Sequence, residues 1–237
     1  MNWLASLFGR GARLDAAQQA RLDAWRALPA ADLKLPIDAA RYVVVDVESS
    51  GLDLNRDKLI AIGAIAIRDG RIDLADGLEI VLQQDKVSGK DNILIHGIGG
   101  EAQRAGVPPV EALLSFLEYL GKDPLIAFHV VFDNTMISKT LRKYLGLRFN
   151  HPWADLAFLT PELCPGANRQ LRALDDWMGY FNIGNYARHS ALADAVSTAE
   201  LMLALRPLLA GRNAECFRAF QGIEQERRMR TFGLPYA

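Results

Sequence analysis

Cysteine is almost absent. Cys164 and Cys216 are the only two among 237 residues. They lack metal-site spacing and could form at most one bridge, so a reduced, cytoplasmic protein is expected. Long apolar runs are missing as well, and none approaches the roughly 20 residues that span a bilayer. No membrane span is therefore expected. Met1–Phe8 has no basic n-region and is short for a signal peptide. It either packs on the domain or a partner, or forms a small amphipathic anchor with Arg10 and Arg13 toward headgroups. Neither sign of charge is in excess, with 27 Lys and Arg against 28 Asp and Glu, net −1. A polyanionic partner must then be met by local basic patches or by bound metal. There is no internal repeat, no low-complexity tract and no Gly-x-x-x-x-Gly-Lys, which excludes phosphate cradling by that loop.

What is present is ordinary globular composition, with 50% hydrophobic and 23% charged residues. The length suits one large domain with an extra terminal element. Residues 1–38 read as an N-terminal helical extension separate from the core, residues 39–210 as the main domain, and 211–237 as a C-terminal helix and tail. In the extension, Leu14, Ala17, Leu22, Trp25 and Leu28 share a helical face that Gln18 and Arg21 interrupt. A strand at Tyr42 leads to a hairpin-like run of strands, Leu59–Ile67 and Ile72–Leu82, around the Asp69-Gly70 turn. Asp85–Gly100 reads as a loop. The period then changes, with helices at Pro109–Gly121, Asp133–Leu145, Asp155–Leu163, Gln170–Tyr180, Ser190–Leu205 (stopped by Pro207) and Ala214–Arg230, and a short strand at Pro124–Phe128. Strands first as a meander and then alternating with helices imply an α/β or α+β domain with a mixed sheet.

The chemistry concentrates where Val43-Val44-Val45 is followed by Asp46-Val47-Glu48. Residues i and i+2 of a strand share a face, so the two carboxylates project side by side. Their mutual repulsion is relieved by a cation, and hard oxygen donors suit Mg²⁺ or Mn²⁺ rather than zinc. The alternative is a strand end with one acid capping a turn and the other solvated. Asp133 lies at a helix start, where it either caps the helix or joins the site. His189 and Asp194, five helical steps apart, would point about 140° from one another on a single helix. They converge if His189 sits in the preceding loop and Ser190 is the N-cap. Asp194 then faces inward among alanines, where an unpaired acid is costly.

Asp46-x-Glu48, His129-x-x-x-Asp133 and His189-x-x-x-x-Asp194, in this order, resemble the DEDDh branch of the DnaQ-like 3′→5′ exonucleases, over roughly Tyr42 to Leu205. Asp46-Val-Glu-Ser-Ser-Gly-Leu52 resembles the family's Asp-x-Glu-Thr-Thr-Gly-Leu, and Ile95-His96-Gly97-Ile98 its Ile/Val-His-Gly-Ile element. The family often has Asn after His129, where Val130 stands here. The resemblance implies a ribonuclease H-like fold, a mixed central β-sheet flanked by helices. It also implies hydrolysis of a 3′-terminal phosphodiester with two divalent cations, Mg²⁺ or Mn²⁺, in single-stranded or frayed DNA or RNA. Asp46, Glu48 and Asp194 would hold one metal, Asp46 and Asp133 the second, and a neutral His189 would take the proton of the attacking water. Ser49, Gly51 and Leu52 would receive the 3′-terminal nucleotide, with His96 and Phe132 as further walls. Arg142, Lys143 and Arg148 could flank a nucleic-acid strand, and Arg227, Arg228 and Arg230 form a basic C-terminal patch that either contacts nucleic acid or keeps the tail soluble. Two alternatives accompany this reading: a proofreading subunit bound to a DNA polymerase, and a binding or scaffold module with a vestigial metal site.

Overall fold

The computed structural model describes residues 14–167, 170–184 and 190–233. Its centre is β1 (Arg41–Ser49), paired antiparallel with β2 (Leu59–Arg68) and parallel with β5 (Leu125–Ala127), which pairs in parallel with β6 (Trp153–Asp155). On the other side of β2 lie β3 (Arg71–Ile72) and β4 (Leu78–Val81), both antiparallel to it. The expected Ile72–Leu82 strand is thus broken by a short 3₁₀ turn at Leu74–Asp76, opened by the Asp73 carboxylate accepting from Ala75 N–H. The sheet is mixed, as the order of elements in the sequence implies, and six-stranded.

Helices cover both faces, and the pleat of β1 divides the core between them. Val43, Val45 and Val47 pack with α1 (Ala16–Ala27), α4 (Pro109–Leu120) and α5 (Val130–Leu145). Tyr42 and Val44 face α6 (Leu156–Leu163), α7 (Leu174–Phe181), α8 (Ala191–Ala210) and α9 (Phe217–Phe232). Two short helices, α2 (Lys90–His96) and α3 (Gly100–Ala105), follow β4. The Asp85–Gly100 loop reading is corrected here. Gly97 at φ 70° closes α2, and helix formation is what its Ile-Leu-Ile-His run adopts between two glycine boundaries.

The N-terminal helix does not stand apart from the core. Asp15 is its N-cap in a reciprocal capping box with Gln18. Leu22 and Trp25 are buried against α4, and Trp25 Nε1 donates to Gly121 O at 2.7 Å. Gln18 and Arg21, which interrupt the apolar face, reach Glu111 and Glu118 on α4 instead, at 2.6–2.8 Å. An exposed helix cannot be told from a docked one when its polar residues have partners far off in sequence. We expect Leu22→Ala to cost about 2–5 kcal/mol in urea unfolding, the range for emptying a packed aliphatic site.

Pro207 lies inside α8 rather than ending it; the helix runs on to Ala210. Asp155, expected as the first helical residue, closes the three-residue strand β6 and caps α6 by accepting from Ala157 N–H at 3.0 Å. The last helix begins at Phe217 instead of Ala214. Among the described residues no helix is long and apolar enough to cross a membrane.

Candidate active site

Strand alternation puts Asp46 and Glu48 on the Tyr42/Val44 face, the face that α8 covers. A bulge between Glu48 and Ser49 then turns the chain out of the sheet. Asp194, in the first turn of α8 and buried, meets the pair: Asp46, Glu48 and Asp194 each offer a carboxylate oxygen, and these lie within 4.8 Å of one another.

What lets α8 come this close is a residue that sequence reading passed over. Gly63 is the β2 partner of Asp46. A Cβ built on it would lie 2.0 Å from Ala191 C, 2.1 Å from Leu192 N and 2.3 Å from Ala191 O. The first turn of α8 rests directly on the bare backbone of β2. Ser190, the N-cap residue, donates its hydroxyl to Glu79 at 3.1 Å, and Glu79 is the β4 partner of Gly63. The only hint in sequence is one glycine inside the apolar run Leu59–Ile67, a sign of close backbone approach.

Asp133 arrives from the other side. It belongs to α5, whose apolar residues pack on the Val43/Val45/Val47 face, so it is not one of the three clustered acids. It is buried near Val47 and Glu48. Burial is the main cause that pushes its carboxyl well above the ordinary carboxylate range. The charges of Asp155 and Glu48 add to this, against hydrogen bonding from the Asp133 and Val47 backbones. Nor is Asp133 a cap, since α5 begins at Val130. The position before it, His129, is left-handed at φ 69°, and Val130 is fully buried. His189 lies outside the described residues.

The turn after β1 is braced from three directions. Ser49 Oγ donates to Gly51 O at 2.6 Å, Ser50 Oγ to Asp57 at 2.8 Å, and Asp53 N–H to the same carboxylate at 2.8 Å. The Asn92 amide of α2 donates to Ser50 O, and Lys139 of α5 donates to Leu54 O at 2.8 Å and to Asp57 O. A Cβ on Gly51 would strike the Asp57 carboxylate at 2.4 Å. The turn therefore holds Leu52 out to solvent, 86% exposed. Asp57, Asn92 and Lys139 carried no motif signal.

His96 is turned inward. It is 5% exposed, its Nδ1 accepts from Ile98 N–H at 3.0 Å, and Nε2 is 3.4 Å from Ser88 Oγ. Burial lowers its pKa. In this placement it shapes the α2–α3 connection, and the neighbouring Leu94 and Ile95 are the residues exposed there. Phe132 is half-buried against the core, next to the exposed Val131. The basic C-terminal patch is not a free cationic surface. Arg228 is buried between Asp155 and Glu224, and Arg227 and Arg230 both pair with Glu162.

Three convergent carboxylates on the central strand and a crossing helix of a helix-flanked mixed sheet fit a hard divalent cation. The fold is that of the ribonuclease H-like nucleases. Residues 43–202 match the model of the RNase_T exonuclease family, and the chain belongs to that family. Among curated proteins it is 29% identical over 164 residues to the PolC-type DNA polymerase III of Thermotoga petrophila, covering 69% of this chain but 12% of that one. It is 26% identical over 170 residues to the DNA polymerase III subunit epsilon of Aquifex aeolicus, covering 68% of this chain and 78% of that one. The chain thus spans a small part of the polymerases it matches and most of the epsilon subunit. Among solved structures, E. coli exonuclease I in complex with a dT13 oligonucleotide superposes with a TM-score of 0.61 at 16% identity, covering 73% of this chain and 42% of that one. Exonuclease X in complex with 5′ overhanging duplex DNA superposes with a TM-score of 0.57 at 18% identity, over 77% of this chain and 99% of that one.

Proposed function

We propose that the chain is a 3′→5′ exonuclease that uses two divalent cations, Mg²⁺ or Mn²⁺, to release nucleoside 5′-monophosphates from single-stranded or frayed nucleic acid. The observation that carries this reading is the approach of Asp46, Glu48 and Asp194 to within 4.8 Å of one another at the end of β1. Carboxylates converging that closely repel unless positive charge lies among them.

Asp46, Glu48 and Asp194 would hold one cation on the α8 face, and Asp46 with Asp133 would support the second from the α5 side. When bound, such a pair stabilises the attacking and leaving oxygens of an in-line displacement and acidifies water. Ser49–Leu52, fixed by Asp57, Asn92 and Lys139, presents backbone to the terminal sugar and Leu52 to its base. His189 directly precedes the α8 N-cap residue Ser190, and is assigned the proton from the attacking water; an imidazole near pKa 6.5 suits that task at neutral pH. Arg142, Lys143 and Arg148 would contact phosphates upstream of the cleaved bond. Two unbridged cysteines suit action in the cytoplasm. Likeness to an epsilon subunit over most of its length favours one particular setting, proofreading beside a DNA polymerase.

A 5′-labelled single-stranded oligonucleotide is expected to shorten from its 3′ end with Mg²⁺ or Mn²⁺ and to stay intact with excess chelator. No shortening with either cation, or release of the labelled 5′ nucleotide first, would refute the assignment. Matched DNA and RNA strands in parallel read the sugar preference. Copurification with a polymerase subunit tests the proofreading setting.

A further inference from the structure

Asp133 depends on where α5 begins, and α5 has no side-chain cap of its own. Its first N–H groups are satisfied from another element. The Asp155 carboxylate, at the end of β6, accepts from His129 N–H at 2.9 Å and from Val130 N–H at 3.1 Å. The same carboxylate caps α6 through Ala157. One buried acid therefore caps the starts of two helices, and the first of them follows directly on His129, which is left-handed at φ 69°.

That acid is in turn held by α9, beyond the residues 43–202 that match the exonuclease family. Arg228 Nη2 donates to Asp155 Oδ2 at 2.8 Å, and its Nε to Glu224 Oε1 at 3.0 Å. The guanidinium lies over the Phe158 ring, 4.2 Å from its centroid. One helix turn ahead of Glu224, Gln221 donates to Trp153 O at 2.7 Å, tying α9 to the same strand β6. A buried ion pair rarely stabilises a fold more than apolar side chains of equal volume would, and its best-attested use is to specify one arrangement.

We propose that Arg228 is a positioning residue for the cation site, acting through Asp155 on the first turn of α5, and that α9 is accordingly part of the nuclease unit. This rests on the metal-dependent exonuclease reading above. The double substitution Asp155→Asn with Arg228→Met, made on a Glu224→Gln background so that neither buried acid is left charged without its partner, leaves one acceptor oxygen at Asp155 where two served. Arg228→Lys keeps the charge but not the fork that spans both acids.

In the 237-residue chain without metal, amide hydrogen exchange in the first turn of α5 should speed up about tenfold in the double variant and less in Arg228→Lys. Exchange in α4 should stay as in wild type. Mn²⁺ affinity by calorimetry should fall roughly 10-fold, the lower end for residues supporting a ligand from behind. Turnover on a single-stranded oligonucleotide should fall with it while KM changes less than twofold. A lowered melting temperature with unchanged α5 exchange and Mn²⁺ affinity would make the bridge merely structural and overturn the proposal. A double variant that fails to fold hands the decision to Arg228→Lys, where wild-type exchange and affinity overturn it and intermediate values support it. If wild type cuts no oligonucleotide yet exchange and affinity shift as expected, the exonuclease reading fails and the positioning role stands.

Discussion

Asp46→Asn is expected to lower metal-dependent cleavage by more than about 100-fold, beyond the roughly 10–100-fold typical of residues that only support a ligand. Asp46 stands between two directions of approach. On its own face it meets Glu48 and Asp194, and the helix carrying Asp133 packs against the opposite face. It is the acid assigned to both cations, so no neighbour replaces it. The amide keeps the shape of the side chain but offers a weaker, uncharged donor to a hard cation. Without metal the variant should melt at or above the wild-type temperature. Each like-charge contact at such distances opposes the folded state by about 1 kcal/mol in bulk water and about 4 kcal/mol near a protein surface. Added Mn²⁺ should raise the melting point of wild type, by mass action on the native state, and that of the variant much less. The decisive measurements are single-turnover cleavage and melting with and without Mn²⁺. Wild-type cleavage by Asp46→Asn would sink the assigned chemistry.

Gly63→Ala is expected to cost nearly as much activity, from a site that touches no substrate. The added methyl carbon would fall 2.0–2.3 Å from the backbone of Ala191 and Leu192. Backbone cannot swing aside as a side chain can, so α8 must lift off β2 or the strand must bow. Either motion separates Asp194 from Asp46, and a displacement near 1 Å can cost about 100-fold in rate. Overpacking of this kind typically destabilises by about 1–3 kcal/mol. The stability loss and the loss of Mn²⁺ affinity should therefore appear together. Gly222→Ala is the control, because nothing lies within 4 Å of its added carbon. In the middle of α9 it should gain up to about 1 kcal/mol from helix propensity and leave cleavage unchanged. A Gly63→Ala variant with wild-type Mn²⁺ affinity would show that the contact does not set the geometry of Asp194.

These two positions also mark how far the sequence could be read. Asp46 and Glu48 were legible as a pair because alternation along a strand is local, needing no knowledge of the partner strands. The hydrophobic period likewise revealed the mixed sheet and most of the helices, including α4 within one residue. Helix starts were less legible. α5 begins three residues before Asp133 because an acid 22 residues further along, Asp155, satisfies its N–H groups. The inward turn of His96 depends on Ser88 and Ile98 meeting it across a loop. Arg228 read only as part of a basic C-terminal patch, for nucleic acid or for solubility, because α9 has little amphipathic pattern and composition does not say which arginine faces inward.

For the central stretch from Tyr42 to Glu48, the chain's own order of residues dictates a buried strand and two acids on one face. Those features follow from bond geometry and from i, i+2 spacing. The assembly around that stretch comes from long-range packing. Asp194 joins because Gly63 has no side chain to keep α8 away, and Asp133 comes from the opposite face because α5 packs there. Arg228 closes the far end because a buried carboxylate needed its charge met. Such contacts depend on which surfaces remain to be covered once every other element is in place, and no local pattern encodes that.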